Sequence, residues 1–200
     1  GYFLGAGLEI LPVTPLTLDA GLQEQLGYGF AALGGEVELV GAQITGATGA
    51  GFFAANTTVT LRDLEVRETA ADSAGILGRG VRLQDECVAT LEGLTLTENA
   101  DAGLYSLRSF ALIADDLEIT AVRSADCPAC DGAGTGDGIV VTAGTGGFGP
   151  ETYTAALTGN VMDDAARAGV FLDGVTASME DNVCTSCGYT SGGSALVATS

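Results

Sequence analysis

Leu91, Leu94 and Leu96 form a Leu-x-x-Leu-x-Leu unit, and its recurrence restricts the fold more tightly than any other feature of the sequence. Clear copies stand at Leu61, Leu64, Val66 and at Val13, Leu16, Leu18. Looser copies stand at Leu39, Ala42, Ile44; at Ala114, Leu117, Ile119; at Leu157, Asn160, Met162; and at Met179, Asn182, Cys184. A second signal accompanies them: a small residue, usually Gly, heading a short apolar run. It falls at Gly1, Gly29, Gly51, Gly75, Gly103, Gly138, Gly169 and Ser194, and the stretch from Gly75 to Asn99 holds both halves. The pair returns roughly every 20 to 35 residues, a period at which each repeat buries its apolar face only against its neighbours. The chain therefore reads as a solenoid.

The solenoid reads as one of strands. No repeat sustains a 3.6-residue apolar period long enough for a packed helix. The apolar runs lean to Val, Ile, Phe and Leu, which suit half-buried strands. Gly at the head of each run fits a position that needs positive φ or close backbone approach.

The copies Leu157-Thr-Gly-Asn160-Val-Met162 and Met179-Glu-Asp-Asn182-Val-Cys184 carry a family resemblance. With them the chain resembles the right-handed parallel β-helix, or pectin-lyase-like, superfamily over nearly its whole length. That resemblance implies an Asn turned inward at a tight bend and stacked on its neighbour, here Asn160 and Asn182. Leu64, Leu94 and Leu117 would fill the same place with apolar side chains. The expected fold is an all-β, right-handed parallel β-helix of about seven coils, with residues 1–200 forming a single solenoid. Neither end reads as a polar cap, so the chain is expected to be a fragment of a longer one. A leucine-rich-repeat solenoid is the rival, because Leu91, Leu94 and Leu96 are followed by Asn99 at that repeat's spacing.

Charge narrows the partners. The 200 residues hold 26 acidic and 7 basic side chains, with no His, for a net charge of −19. All the basic residues are Arg. Phosphate binding needs clustered Lys and Arg, so nucleic acid and anionic membrane surfaces are not expected partners. No run reaches the length of a membrane span. The acidic residues are scattered rather than blocked, as on a solvated exterior. Export to the extracellular space or cell surface is the expected localisation.

The alternation of a strand places a second row of residues outward. Counted from each leading Gly, that row is Phe3, Ala31, Phe53, Leu77, Tyr105, Val140, Phe171 and Val197. Stacked at the strand spacing, it would make an apolar stripe for a protein partner, a polysaccharide surface or self-association.

The resemblance also brings chemistry. Pectin-lyase-like lyases use Arg or Lys as base, often with calcium, and the hydrolases use paired acids. Arg79 and Arg108, in adjacent repeats, are the catalytic candidates, placed to share a groove; Asn56 and Asp173 lie at comparable positions. The paired-Asp and His motifs of the hydrolases are absent from the sequence. Cys127-Pro-Ala-Cys130 and Cys184-Thr-Ser-Cys187 are two C-x-x-C units, open to three readings: disulfides pinning a loop to a neighbouring coil, a four-thiolate zinc site, or buried free thiols. Cys87 reads as a small apolar residue in the core. Asp126, Asp131 and Asp137 offer a calcium loop, although their spacing fits no EF-hand. Together these readings lead to a non-catalytic binding, adhesion or scaffold module. The alternative is a polysaccharide-active lyase or hydrolase working in a groove.

Overall fold

The computed structural model describes residues 27–72, 77–123, 136–144 and 152–188, and the strands at 2–4, 8–10, 16–19 and 194–199 by their backbone. The described residues form 22 strands and no helix. They lie in three sheets of eight, seven and seven strands, each built from every third strand of the chain. All pairings within them are parallel. The chain is thus a parallel β-solenoid of seven coils plus the first strand of an eighth. The leucine-rich-repeat alternative fails, because each coil spends three strands where that repeat would spend one.

The Leu-x-x-Leu-x-Leu unit spans the second and third strands of a coil and the bend between them. In the fourth coil these strands are Val88–Glu92 and Thr95–Thr97. Leu91, Leu94 and Leu96 all point into the core and are fully buried. The bend turns on the residue before the middle Leu. Gly41, Asp63, Gly93, Asp116, Gly159 and Asp181 occupy that place in successive coils, and all have positive φ. Gly adopts this region freely and Asp tolerates it, so Gly and Asp alternate at one corner.

The bend residue that follows is the Leu or Asn of the motif. Asn160 is fully buried. Its Oδ1 accepts from the Leu117 N–H at 3.0 Å and its Nδ2 donates to the Ala114 carbonyl at 2.9 Å. Leu64, Leu94 and Leu117 fill the same corner in earlier coils and are buried too.

The leading Gly proves to be a close-approach residue. Gly29, Gly51, Gly80, Gly103 and Gly138 fall second in their strands, and none has positive φ. A Cβ on Gly80 would lie 2.7 Å from the Gly103 carbonyl oxygen and 2.8 Å from Asn99 Nδ2. Each Gly thus lets its strand pass against the third sheet. The fourth coil corrects the sequence reading here. Its first strand is Arg79–Gln84, led by Gly80 and not by Gly75. Gly75 lies outside the described residues, and Leu77 precedes the strand with a φ of 73°.

The three faces differ in charge. The eight strands of the first sheet carry four charged residues, Arg79, Arg82, Asp137 and Asp173, which cancel. The second sheet carries Glu9, Glu36, Glu38, Glu92, Asp115 and Glu180 against Arg62 alone. The third carries Asp19, Glu65, Glu118, Asp163 and Asp164 against Arg67 alone. The acidity is therefore a property of two faces, and the first sheet is neutral.

Candidate functional site

The outward row of the first sheet is set by register. Tyr2, Ala31, Phe53, Arg82, Tyr105, Val140, Phe171 and Val197 stand opposite one another in successive coils. Two residues expected in this row lie elsewhere. Phe3 pairs with Ala32, one position along, and Leu77 is outside the strand, its place taken by Arg82. Both displacements follow from a leading Gly assigned to the wrong position in coils one and four.

This row is not a bare apolar stripe. Phe52 and Ala54 belong to the main core, whereas Phe53 joins a separate cluster with Ala31, Ala50 and Ala55 on the other side of the sheet. Phe53 is 7% exposed and Val140 5%; Tyr105 and Phe171 are half-buried. The rings lie under neighbours. Tyr28 stacks on Phe53 with centroids 4.6 Å apart. The Arg79 guanidinium lies 3.4 Å from the Tyr105 ring centre, Arg82 5.4 Å from that of Phe53, and Arg167 5.1 Å from that of Phe171. Guanidinium groups stack on ring faces by their attraction to the π-quadrupole.

Two of these Arg are held by acids of adjacent coils. Arg79 Nε donates to Asp101 Oδ2 at 2.7 Å, and both side chains are nearly buried. Arg167 Nε donates to Asp137 Oδ1 at 2.8 Å, with a second contact from its Nη2 to Oδ2. The Asp137 N–H donates to the Asp101 carbonyl, so the two acids belong to neighbouring coils. Burial pushes the Asp137 carboxyl above its ordinary value, and the nearby Asp101 charge adds to that, against the pull of Arg167. The hydrogen bond to Asp137 in turn raises Arg167.

Arg79 and Arg108 do not share a groove. Arg79 opens its strand, while Arg108 sits in the corner beyond the end of Ala102–Leu107, with a φ of 54°. The first strand separates them by roughly 20 Å. Arg108 is paired with Asp85, its Nε donating at 3.0 Å. Asn56 is likewise an exposed corner residue of positive φ, and Asp173 accepts from Thr142 Oγ1.

Arg82 is the residue that sequence reasoning missed. Six of the seven Arg have a carboxylate within ion-pairing distance: Arg62, Arg67, Arg79, Arg108, Arg123 and Arg167. Arg82 has none. Its Nη2 donates to Gln84 Oε1 at 2.8 Å, and its Nε is buried without an acceptor. Burial lowers the Arg82 pKa, and the neighbouring Arg79 charge lowers it further.

The remaining candidates divide. Cys184 and Cys187 form a disulfide with each other. That bond stays within one C-x-x-C unit. Cys127, Cys130, Asp126 and Asp131 lie outside the described residues, and Asp137 is bound to Arg167. Among the described residues, no group of three or more Cys, Asp or Glu is placed to hold a metal. Cys87 is buried in the main core, where burial raises its thiol pKa.

Comparison with protein-family models, with curated proteins and with solved structures finds no match for this chain. The class defined by fold and face is that of a parallel β-solenoid with two acidic sides and one neutral side lined by rings and Arg.

Proposed function

We propose that the protein is a non-catalytic binding module, displayed outside the cell, whose first-sheet face engages a polysaccharide or protein surface. The observation that carries this reading is the segregation of charge. The first sheet is neutral and carries Phe53, Tyr105 and Phe171 in register, with Tyr28 stacked on Phe53, while the other two sheets are acidic. Tyr and Arg are the residues most often found at the energetic centre of interfaces, and depletion of net charge accompanies them. The acidic sides keep the solenoid soluble and direct contact to the remaining face.

The test is retention of the protein in gels cast with neutral or acidic polysaccharides, together with capture on a defined panel of cell-surface proteins. Tyr105→Ala and Phe171→Ala should weaken binding by about tenfold or more, equivalent to about 1.4 kcal/mol. Ile113→Ala, on the exposed second sheet, should leave it unchanged. Equal losses from all three substitutions, or no binding to any surface, would sink the reading.

A second reading has one observation in its favour. Asp137, whose carboxyl burial holds above its ordinary value, lies in the coil next to Asp101, and glycoside hydrolysis is carried out by a pair of carboxyl side chains. Release of reducing ends from any polysaccharide, lost in Asp137→Asn, would replace the binding module with a polysaccharide-active enzyme.

A further inference from the structure

We propose that Arg82 is a binding residue whose guanidinium receives a single carboxylate carried on a flat or ring-shaped ligand body. The inference rests on the first-sheet face being a contact surface and names what that surface recognises.

Every other Arg of this acidic chain is neutralised by a carboxylate of its own protein. Arg82 is held but not neutralised. Gln84 accepts one N–H from it, and Gln84 Nε2 donates onward to Asp85 Oδ2 at 3.1 Å. A neutral amide thus fixes the guanidinium plane and leaves its charge free. Buried N–H donors are nearly always paired in folded proteins, so the unpaired Arg82 Nε calls for an account. The Nε is enclosed by protein, so an incoming group meets the remainder of the guanidinium fork, whose geometry a planar carboxylate matches.

The surroundings choose among anions. Arg79 is the adjacent cation but is already engaged by Asp101, and Asp85 stands on the other flank. A phosphate or sulfate dianion would meet one free positive charge and two carboxylates. A monoanion meets one compensating charge. The register places Arg82 between Phe53 and Tyr105, each about one strand spacing away. Tyr28 covers the Phe53 ring and the Arg79 guanidinium lies over Tyr105, so the body attached to the carboxylate meets the partly exposed Tyr28 and Tyr105. A ring, whether aromatic or of a sugar, suits that floor.

The experiment follows the Arg Nε–H resonances of the nitrogen-15-labelled protein during titration with sodium benzoate and with glucuronate. Benzamide and glucose serve as their uncharged counterparts. The Arg82 signal is assigned by its loss in Arg82→Lys. That signal should move with one or both acids and not with the neutral compounds. Arg82→Gln should weaken acid binding by tenfold or more with unchanged thermal unfolding, and Arg82→Lys should retain part of it. A shift with benzoate alone identifies an aryl acid, with glucuronate alone a sugar acid, and with both a carboxylate read independently of its ring. The assignment is overturned if neither acid moves the Arg82 signal, if the neutral compounds move it equally, or if Arg82→Gln binds as well as the wild type. Partner capture that depends on Tyr105 but not on Arg82 would remove this inference and leave the binding face standing. A carboxylate-dependent shift without any ring-dependent capture would do the reverse.

Discussion

Asn160 Nδ2 donates to Asn182 Oδ1 at 2.7 Å, joining the corners of two successive coils through their side chains. Asn160 also serves two backbone groups of the preceding coil, so it satisfies three partners from a fully buried position. Asn160→Ala leaves all three unmatched. It is expected to destabilise the fold by about 2–4 kcal/mol, because orphaned buried groups bear their full desolvation cost. Asn182 is only partly buried, and Asn182→Ala should cost about 1 kcal/mol. Urea unfolding of the two variants checks the order; equal losses would mean that the ladder is not cooperative.

Gly51 offers a sharper contrast. A Cβ there would stand 2.8 Å from the Gly80 carbonyl oxygen and closer still to Val66 Cγ1. Neither neighbour can swing away, since one is backbone and the other is fully buried. Gly51→Ala should cost about 3 kcal/mol or more through overpacking. Gly34 has open space around its Cβ position but a φ of +72°. Gly34→Ala should cost only about 1–2 kcal/mol, the price of left-handed backbone alone. Thermal unfolding distinguishes crowding from strain by the ranking of the two.

Asp137 gives the protein a definite pH response. Its folded carboxyl is held above the ordinary value of 3.8, so the unfolded chain releases this proton first as pH rises. Between the ordinary and the raised value the folded state binds more protons, and the stability that Asp137 contributes falls with increasing pH. Asp137→Asn lacks this ionisation. Relative to the wild type, the variant should therefore gain in melting temperature as pH is raised from the ordinary carboxylate range toward neutrality. The opposite slope would mean that the bond to Arg167 outweighs burial.

Cys87 should be inert in the folded protein. Its thiol is buried, donates to the Gln84 carbonyl and stays protonated at neutral pH because burial raises its pKa. Peptide mass analysis after treatment with a thiol reagent should find the Cys87 adduct only once denaturant has unfolded the chain. Prompt modification under native conditions would show that the fourth coil opens locally.

The repeat made the architecture legible because solenoid packing is local. Leu91, Leu94 and Leu96 each fill the same place as their counterparts one coil away, and that periodicity survives in the sequence. Asn160 and Asn182 were legible for the same reason. The start of the fourth coil was not, since Gly75, Gly78 and Gly80 crowd together and only the strand pairing selects Gly80. The pairing state of each Arg was hidden more deeply. Asp101 serves Arg79 and Asp137 serves Arg167 from a neighbouring coil, across 22 and 30 residues of chain. The exception at Arg82 becomes visible only when all the other partners have been assigned. The signal available beforehand was Arg79-Gly80-Val81-Arg82 itself, which places a charge in a row otherwise occupied by rings and aliphatic groups.

The strand pairing also sets how the molecule would respond to force. The hydrogen bonds between coils run along the solenoid axis, so a pull on the two ends loads one coil boundary after another in series. No boundary can share its load with a distant one, because each coil touches only its neighbours. The chain would yield in discrete steps, an end coil at a time. Each step would free roughly 20 to 35 residues, or about 70–120 Å of extended chain. A protein built this way lengthens under tension while its remaining coils keep their register.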